Sequence, residues 1–220
     1  MTPTHPPRST CDPTAPQWRP ARTSDAEHLI RIYNESVAGG GHSPTLTDGT
    51  VQEMLAILAL SRQRGWPVWV MAVPDPDGTG TIPVGWAHVR PIVWAPQACR
   101  SAGDLWLYVA RDWHGTGLAM RMLHRVGRES LRFGFDTITC WILDSNRRSL
   151  SLARACRLDR WALMPQVVDY GGLRFNLEIW GCRLDDPVWR AHMERLERRQ
   201  HGLARLRDAR RGAPQPAIVG

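Results

Sequence analysis

The sequence predicts an α/β fold of the α+β type built on one sheet, and three observations carry that expectation. Strand-like and helix-like segments follow one another in the order β-αα-βββ-α-β-α-ββ. Two pairs of strands are joined by short turn-forming segments, which makes them hairpins and much of the sheet antiparallel. One strand runs through a glycine-bearing turn directly into a helix. The 220 residues are 43% hydrophobic and 22% charged, with no apolar run near the 18 or so residues of a membrane span, so a globular protein without a membrane segment is expected.

Residues 1–16, MTPTHPPRSTCDPTAP, lack the apolar centre of a signal peptide and are rich in proline, as in a disordered leader. The folded domain is expected over 17–184. An extended segment over 17–22 leads to Ser24-Asp25-Ala26-Glu27, where the Ser24 hydroxyl can cap a helix while Glu27 reaches back to the Ser24 backbone. That helix runs to about residue 37 with Leu29, Ile32 and Tyr33 on one face, and Gly39-Gly40-Gly41 ends it. A second capping box, Thr50-Val51-Gln52-Glu53, opens a helix through residue 60, with Gly65 in the stop position. Strands at 67–73 and 82–90 form a hairpin about Asp75-Pro76-Asp77-Gly78. After an irregular stretch at 91–103, residues 105–110 read as a buried strand containing Trp, Tyr and Val. The glycine turn and a helix to about residue 133 come next, then a buried strand at 137–143 and a helix over 146–157. Two last strands, near 163–170 and 173–182, meet at Gly171-Gly172.

All 28 basic residues are arginine, and against 21 acids they give a net charge of +7. Residues 1–22 hold +2 and residues 183–220 hold +4, leaving 23–182 at +1. A basic binding face built into the fold is therefore not expected. Codon bias in a GC-rich genome is the simplest explanation of the missing lysines. Cys11, Cys99, Cys140, Cys156 and Cys182 show no C-x-x-C or paired histidine spacing, which suits reduced thiols of a cytoplasmic protein with no metal site. Beyond residue 184, Asp186 can cap and Pro187 can start a further helix, in which Trp189, Leu196 and Leu203 recur every seven residues among arginines. This Arg-rich extension, 185–220, either packs on its own domain or on a sister subunit of an expected homodimer, or binds RNA or another anionic surface.

The segment richest in chemistry is Val109-Ala110-Arg111-Asp112-Trp113-His114-Gly115-Thr116-Gly117-Leu118-Ala119. Two glycines let the backbone bring successive N–H groups around an anion, and the helix start adds its partial positive charge, so the turn can cradle a pyrophosphate. Glycines needed only for strand-to-helix packing would give the same string.

The element order and several strings resemble the GNAT superfamily of acyl-CoA N-acyltransferases, and within it the phosphinothricin and methionine-sulfone acetyltransferase group. The resemblance covers about residues 18–183 and rests on Trp18-Arg19-Pro20-Ala21, Ile32-Tyr33-Asn34-Glu35, Gly65-Trp66-Pro67-Val68 and Trp106-Leu107-Tyr108-Val109 taken in order. It implies the GNAT fold, with a mixed and mostly antiparallel central sheet splayed between its fourth and fifth strands, and acetyl-CoA as cosubstrate with no metal. The family's Q/R-x-x-G-x-G/A loop falls on His114-Gly115-Thr116-Gly117-Leu118-Ala119, whose amides would hold the pyrophosphate. His114 stands where Gln or Arg is usual, which would make a phosphate contact there weaker or pH-dependent. The N-x-x-S-x-x-L motif falls on Asn146 to Leu152, so the Asn146 amide would bond the pantetheine arm with Ser149 on the same side. Asn146 acting only as a helix cap is the alternative, and both roles can coexist. The L-G-F that usually follows is Cys156-Arg157-Leu158, and the tyrosine or histidine sometimes found after the motif's Leu is Ala153.

On the acceptor side, the resemblance links an acid inside R-x-T-x-E to deprotonation of the amine. The matching string is Arg100-Ser101-Ala102-Gly103-Asp104, which makes Asp104 the candidate base, acting through water, and Arg100 a partner for an acceptor carboxylate. Ordinary surface pairing of either residue is the alternative. The family's threonine is Ala102, its arginine after the third strand aligns near Val93, and its glycine in the fifth strand is Trp141. Arg90 is a candidate replacement for that arginine. Trp94, Trp106 and Trp141 would narrow the acceptor pocket, though each can equally be core filler. The backbone at Tyr108, Val109 and Ala110 would orient the thioester. Direct transfer to a small primary amine, an amino acid or an amino-acid-like antimetabolite, needs no acyl-enzyme, and Cys140 and Cys156 read as structural thiols. Two other readings remain at this stage: acetylation of a peptide, protein or tRNA-linked amine docked by the basic tail, and a non-catalytic acyl-CoA-binding protein.

Overall fold

Apolar side chains of both parities along the inner strands require that both faces of the sheet be covered. The computed structural model describes residues 16–38, 43–78, 80–92 and 97–211, the last eleven by backbone alone. Its elements are β1 (Gln17–Pro20), α1 (Ala26–Ala38), α2 (Val51–Arg64), β2 (Val68–Pro74), β3 (Thr81–Pro91), β4 (Ala102–Val109), α3 (Leu118–Ser130), β5 (Thr137–Leu143), α4 (Arg147–Ala155), β6 (Asp159–Tyr170), β7 (Leu173–Arg183) and α5 (Pro187–Arg211). The seven strands form one sheet in the order β1-β2-β3-β4-β5-β7-β6. Only β4 and β5 pair in parallel; the other neighbours are antiparallel. Trp69, Met71, Val89, Leu105, Ile138 and Ile142 pack with Leu118, Met122 and Val126 of α3 and Leu150 of α4. Val70, Ala72 and Trp86 face the other way, onto Leu29 and Ile32 of α1 and Met54 and Leu58 of α2.

The parallel pair is short. Ala102, Gly103 and Asp104 lie opposite Thr137, Ile138 and Thr139. Beyond that point β4 keeps β3 as its partner as far as Val109, while β5 keeps β7 as far as Leu143. The sheet therefore splits between its fourth and fifth strands.

Local chemistry accounts for most element ends. The Thr50 hydroxyl accepts from the Glu53 amide at 3.2 Å, the Glu53 carboxylate accepts from the Thr50 amide at 2.7 Å, and Gly65 closes α2 in the left-handed region at φ 70°. The start of α1 differs from the sequence expectation. A 3-10 turn over Thr23–Asp25 precedes it, and Asp25, not Ser24 with Glu27, organises the entry by accepting from the Arg22 amide at 2.7 Å. Asp25 also takes both guanidinium nitrogens of Arg19, at 2.8 and 2.9 Å. Burial alone would raise its pKa, but these bonds together lower it, so a carboxylate outcompetes a hydroxyl for the helix entry. Strand β6 begins four residues before the expected 163, because irregular pairing at Arg160/Ala162 and Met164/Val168 hides its alternation, and Pro165 is tolerated on this edge strand. The leader up to residue 15, Gly39-Gly40-Gly41, Val93 and Trp94, and the Leu203 side chain lie outside the described residues.

Helix α5 begins as read, with the Asp186 carboxylate accepting from the Val188 amide at 2.8 Å. Trp189 and Met193 join the same core cluster as α3 and α4, and the Trp189 indole N–H donates to the Cys156 carbonyl at 2.9 Å. No helix among the described residues is long and apolar enough to cross a membrane.

The end of α4 shows what the altered L-G-F string does. The Leu158 amide donates to the Ala153 carbonyl and the Arg157 amide to the Arg154 carbonyl, the two bonds of a Schellman ending. Arg157 occupies its left-handed position at φ 54°, where glycine would carry no Cβ strain. Arg157→Gly is accordingly expected to raise unfolding stability by about 1 kcal/mol in urea titrations, with an unchanged m-value.

Candidate active site

The C-terminal ends of β4 and β5 each lead towards a helix N-terminus. After Val109 the Ala110 amide donates to the Val84 carbonyl at 2.9 Å, a 3-10 turn covers Arg111–Trp113, and the chain turns through Gly115 (φ 76°) and Gly117 (φ 84°) into α3. Left-handed glycines here turn the chain into a helix whose first-turn amides have no acceptor within the helix. Glu35 fixes the beginning of this loop by accepting from the Arg111 amide at 2.7 Å. At the end of β5, the Asn146 side chain accepts from the Ser149 amide at 3.1 Å and caps α4. The two helix starts are joined: Arg148 donates to His114 Nδ1 at 2.8 Å, while His114 Nε2 lies 2.9 Å from the Val109 carbonyl. Since arginine can only donate, Nδ1 accepts and Nε2 carries the proton. Both nitrogens of His114 are thus engaged within the protein, and its own amide donates to the Arg111 carbonyl at 3.0 Å. The ring, for which the sequence suggested a weak or pH-dependent phosphate contact, here links the loop to α4.

The other face of β4, towards α1 and α2, carries Asp104, Trp106 and Tyr108. Asp104 is 9% exposed and sits in the last β4 pair before the split. Its carboxylate accepts from the Trp106 indole N–H at 3.0 Å and lies 3.5 Å from Arg90, whose guanidinium also covers the Trp106 ring at 4.6 Å. Burial is the largest influence on Asp104 and leaves its pKa raised, against the opposing pull of Trp106 and Arg90. Burial likewise pushes the Tyr108 phenol upward, so it stays protonated at neutral pH. Arg100 is exposed, and its Nε donates to the Gln97 carbonyl at 3.2 Å, whereas Arg90 is the guanidinium beside Asp104. Trp141 lies two residues past Thr139, on the same face as Asp104, and is 38% exposed.

Three contributors escaped the sequence reading. Glu35 stood inside a quoted string, yet only its 76-residue reach to Arg111 shows its part. Arg148 lay within the N-x-x-S-x-x-L motif at a variable position. Behind Asp104, the buried pair of Ser61 and His88 (Oγ to Nε2 3.1 Å) joins α2 to β3 with no local signal. A groove of about 680 Å³ beside the loop is lined by residues including Asn34, Glu35, Asp48, Arg111 and Asp112. Among the described residues no cluster of three or more His, Cys, Asp or Glu is placed to hold a metal ion.

The domain family described as "Acetyltransferase (GNAT) domain" matches residues 18–159. The Bacillus subtilis protein named "Putative phosphinothricin acetyltransferase YwnH" is 22% identical over 166 residues, covering 76% of this chain and 98% of that protein. A phosphinothricin acetyltransferase from Sinorhizobium meliloti, solved in complex with AcCoA, superimposes with a TM-score of 0.67 at 21% identity over 77% of this chain and 88% of its own. A ribosomal-protein-alanine N-acetyltransferase from Brucella melitensis gives 0.67 at 22% identity over 76% of this chain and 99% of its own. At these identities the two solved structures establish the fold.

Burial of His88 is expected to make the protein sensitive to acid. Burial, reinforced by Arg90, lowers the His88 pKa from 6.5 to about 4, so the native state holds it neutral while the unfolded chain protonates it. Its contribution is complete above about pH 6.5 and is lost as pH falls towards 4, roughly 3 kcal/mol in all. His88→Gln, which keeps a partner for Ser61 but does not titrate, is expected to flatten the decline between pH 7 and pH 4 by about that amount in urea unfolding curves. An unchanged slope would show that His88 takes up its proton as readily in the folded as in the unfolded chain.

Proposed function

The chain belongs to the GNAT acetyltransferase family, and on that premise we propose that it moves the acetyl group of acetyl-CoA onto the primary amine of a small molecule by direct transfer. The acceptor is an amino acid or an amino-acid-like antimetabolite. The observation that carries the reading is the placement of Asp104: a buried carboxylate with a raised pKa, held by a neutral indole donor at the point where β4 and β5 part.

The residues present suit acetyl-CoA. Two left-handed glycines and the α3 start offer amides to a pyrophosphate, and the capped start of α4 stands beside them. In this reading Gly115, Thr116, Gly117, Leu118 and Ala119 receive the pyrophosphate, and Asn146 and Ser149 the pantetheine arm. The backbone of Tyr108, Val109 and Ala110 orients the thioester, which supplies an activated carbonyl. Asp104 removes a proton from the ammonium group through water. The freed nitrogen lone pair forms the N–C bond as the C–S bond breaks, the bonded nitrogen gives its second proton to water, and the departing sulfur takes a proton from water, since Ala153 offers no acid. Arg90 holds an acceptor carboxylate more readily than Arg100, because Arg90 already stands beside Asp104 and its Nε is buried without a partner. Trp106 and Trp141 bound the acceptor space. Burial pushes the Cys140 and Cys156 thiols up to about 12, which supports transfer without an acyl-enzyme. The similarity to two proteins named as phosphinothricin acetyltransferases supports the acceptor class.

Release of free CoA is the direct assay, run with the amino acids, methionine sulfone, phosphinothricin, aminoglycosides and a peptide beginning with alanine. Turnover is expected with amino-acid-like amines. Turnover with the peptide alone would replace the small acceptor with a macromolecular one, in keeping with the similarity to the ribosomal-protein-alanine enzyme. Asp104→Asn is expected to lower kcat by about 10²- to 10⁴-fold while leaving acetyl-CoA affinity within about twofold. In the unsubstituted enzyme log kcat/KM should climb with slope one as Asp104 ionises, at a pH above the ordinary carboxylate range, and that limb should vanish in the Asn variant. Full activity in Asp104→Asn would remove Asp104 from the mechanism.

A further inference from the structure

Helix α5 lies beyond the stretch matched by the family domain, yet it reaches the proposed cofactor loop. It runs antiparallel to α3. Trp189 fills the space where a Cβ on Gly127 would stand, Glu197 and His124 lie 2.8 Å apart, and Gln200 reaches Met120 and Gly117. As α5 advances from 189 to 200, its contacts on α3 move back from 127 to 117, so its axis leads to the N-terminus of α3. There the Gln200 carboxamide is seated on Gly117: a Cβ at that residue would fall 2.5 Å from Nε2 and 2.9 Å from Cδ. Glycine at 117 therefore serves two purposes, the left-handed turn and the seat for this amide.

The hydrogen bonding of that amide is incomplete. Among the described residues its Nε2 donates to the Met120 thioether at 3.3 Å, a weak acceptor, and its Oε1 is buried with no partner. At the other end of the same loop, the His114 ring is engaged with Val109 and Arg148. The Thr116 hydroxyl between the two glycines is likewise committed, donating to the Trp113 carbonyl at 2.8 Å, and α5 brings an under-bonded carboxamide to the loop. We propose that Gln200 is a cofactor-binding residue, whose Nε2 donates to a pyrophosphate oxygen of acetyl-CoA, making α5 the outer wall of the phosphate site. The inference rests on the reading of this loop as the acetyl-CoA site.

S-acetylpantetheine, which carries the thioester but neither the pyrophosphate nor the nucleotide, separates a phosphate contact from a general effect. Affinity and KM are measured for acetyl-CoA and for S-acetylpantetheine in the full chain and in Gln200→Ala, Gln200→Glu and Gln200→Arg, with melting temperature as the control for folding. Gln200→Ala is expected to weaken acetyl-CoA about 10-fold and Gln200→Glu about 100-fold, the latter easing with added salt. Gln200→Arg, a longer donor, should stay within about threefold of the parent. S-acetylpantetheine should change less than about twofold in all three, since it has no phosphate to lose. Equal weakening towards both thioesters, unchanged acetyl-CoA affinity in the Ala and Glu variants, or a loss in the Arg variant matching that in Ala would each overturn the proposal. Failure of the underlying reading has a different signature: the unsubstituted protein would show no affinity for acetyl-CoA at all, and both inferences would fall together.

Discussion

Strands β4 and β5 share three residue pairs and then separate, and the placement of every proposed functional group follows from that separation. Backbone N–H and C=O groups on facing strand edges must find partners. Here the two edges turn away from each other, β4 held by β3 and β5 by β7, and what lies between them is a wedge and not a ladder. The wedge opens towards the C-terminal ends of both strands, where the chain enters α3 and α4. A ligand with an extended amide-bearing arm can occupy such an opening, and its charged end then meets two helix starts.

In the proposed site, those helix starts would let a nearly neutral domain hold a highly charged cosubstrate. Residues 23–182 carry a net charge of only +1. Backbone amides and helix poles are fixed partial charges that attract an anion without immobilising a flexible cation. Arg148, at the start of α4, donates to a histidine ring and holds the α3 and α4 starts together. The excess basicity of the chain is concentrated instead in the terminal segment, whose helix α5 enters the main core through Trp189 and Met193.

Much of this was legible in the residues. The strand at 137–143 was read with both of its ends correct, because a dense apolar run stood between clear turn signals. The Thr50 box, the Gly65 stop and the Asp186 cap were equally plain, since each is a short-range hydrogen bond written in adjacent residues. What failed to show was long-range. The entry of α1 depends on a carboxylate paired across six residues with Arg19, the anchoring of the loop on Glu35, and the seat of α5 on two glycines whose neighbours lie 62 and 83 positions away. In Gly117 and Gly127 the sequence displays only a missing side chain; what occupies the vacated space comes from the fold. Asp104 belongs to both classes. The resemblance singled it out, whereas its burial and its tie to Trp106 depend on packing against Arg90 and on the split of the sheet.

The partners of Asp104 also determine how good a base it can be. A carboxylate tightly paired with arginine is stabilised in its ionised form and becomes a weaker proton acceptor. One buried without partners is costly and tends to remain protonated. Here the shorter bond, at 3.0 Å, comes from a neutral indole, and the guanidinium stands off at 3.5 Å with its face turned to the Trp106 ring. The indole fixes the carboxylate in position without adding a full charge, while the more distant cation keeps its ionised form accessible. Burial then outweighs both and raises the pKa towards the range in which an ammonium proton can be taken up and passed on. A lysine or a closer arginine in the place of Trp106 would reverse that balance and leave a carboxylate too acidic to serve.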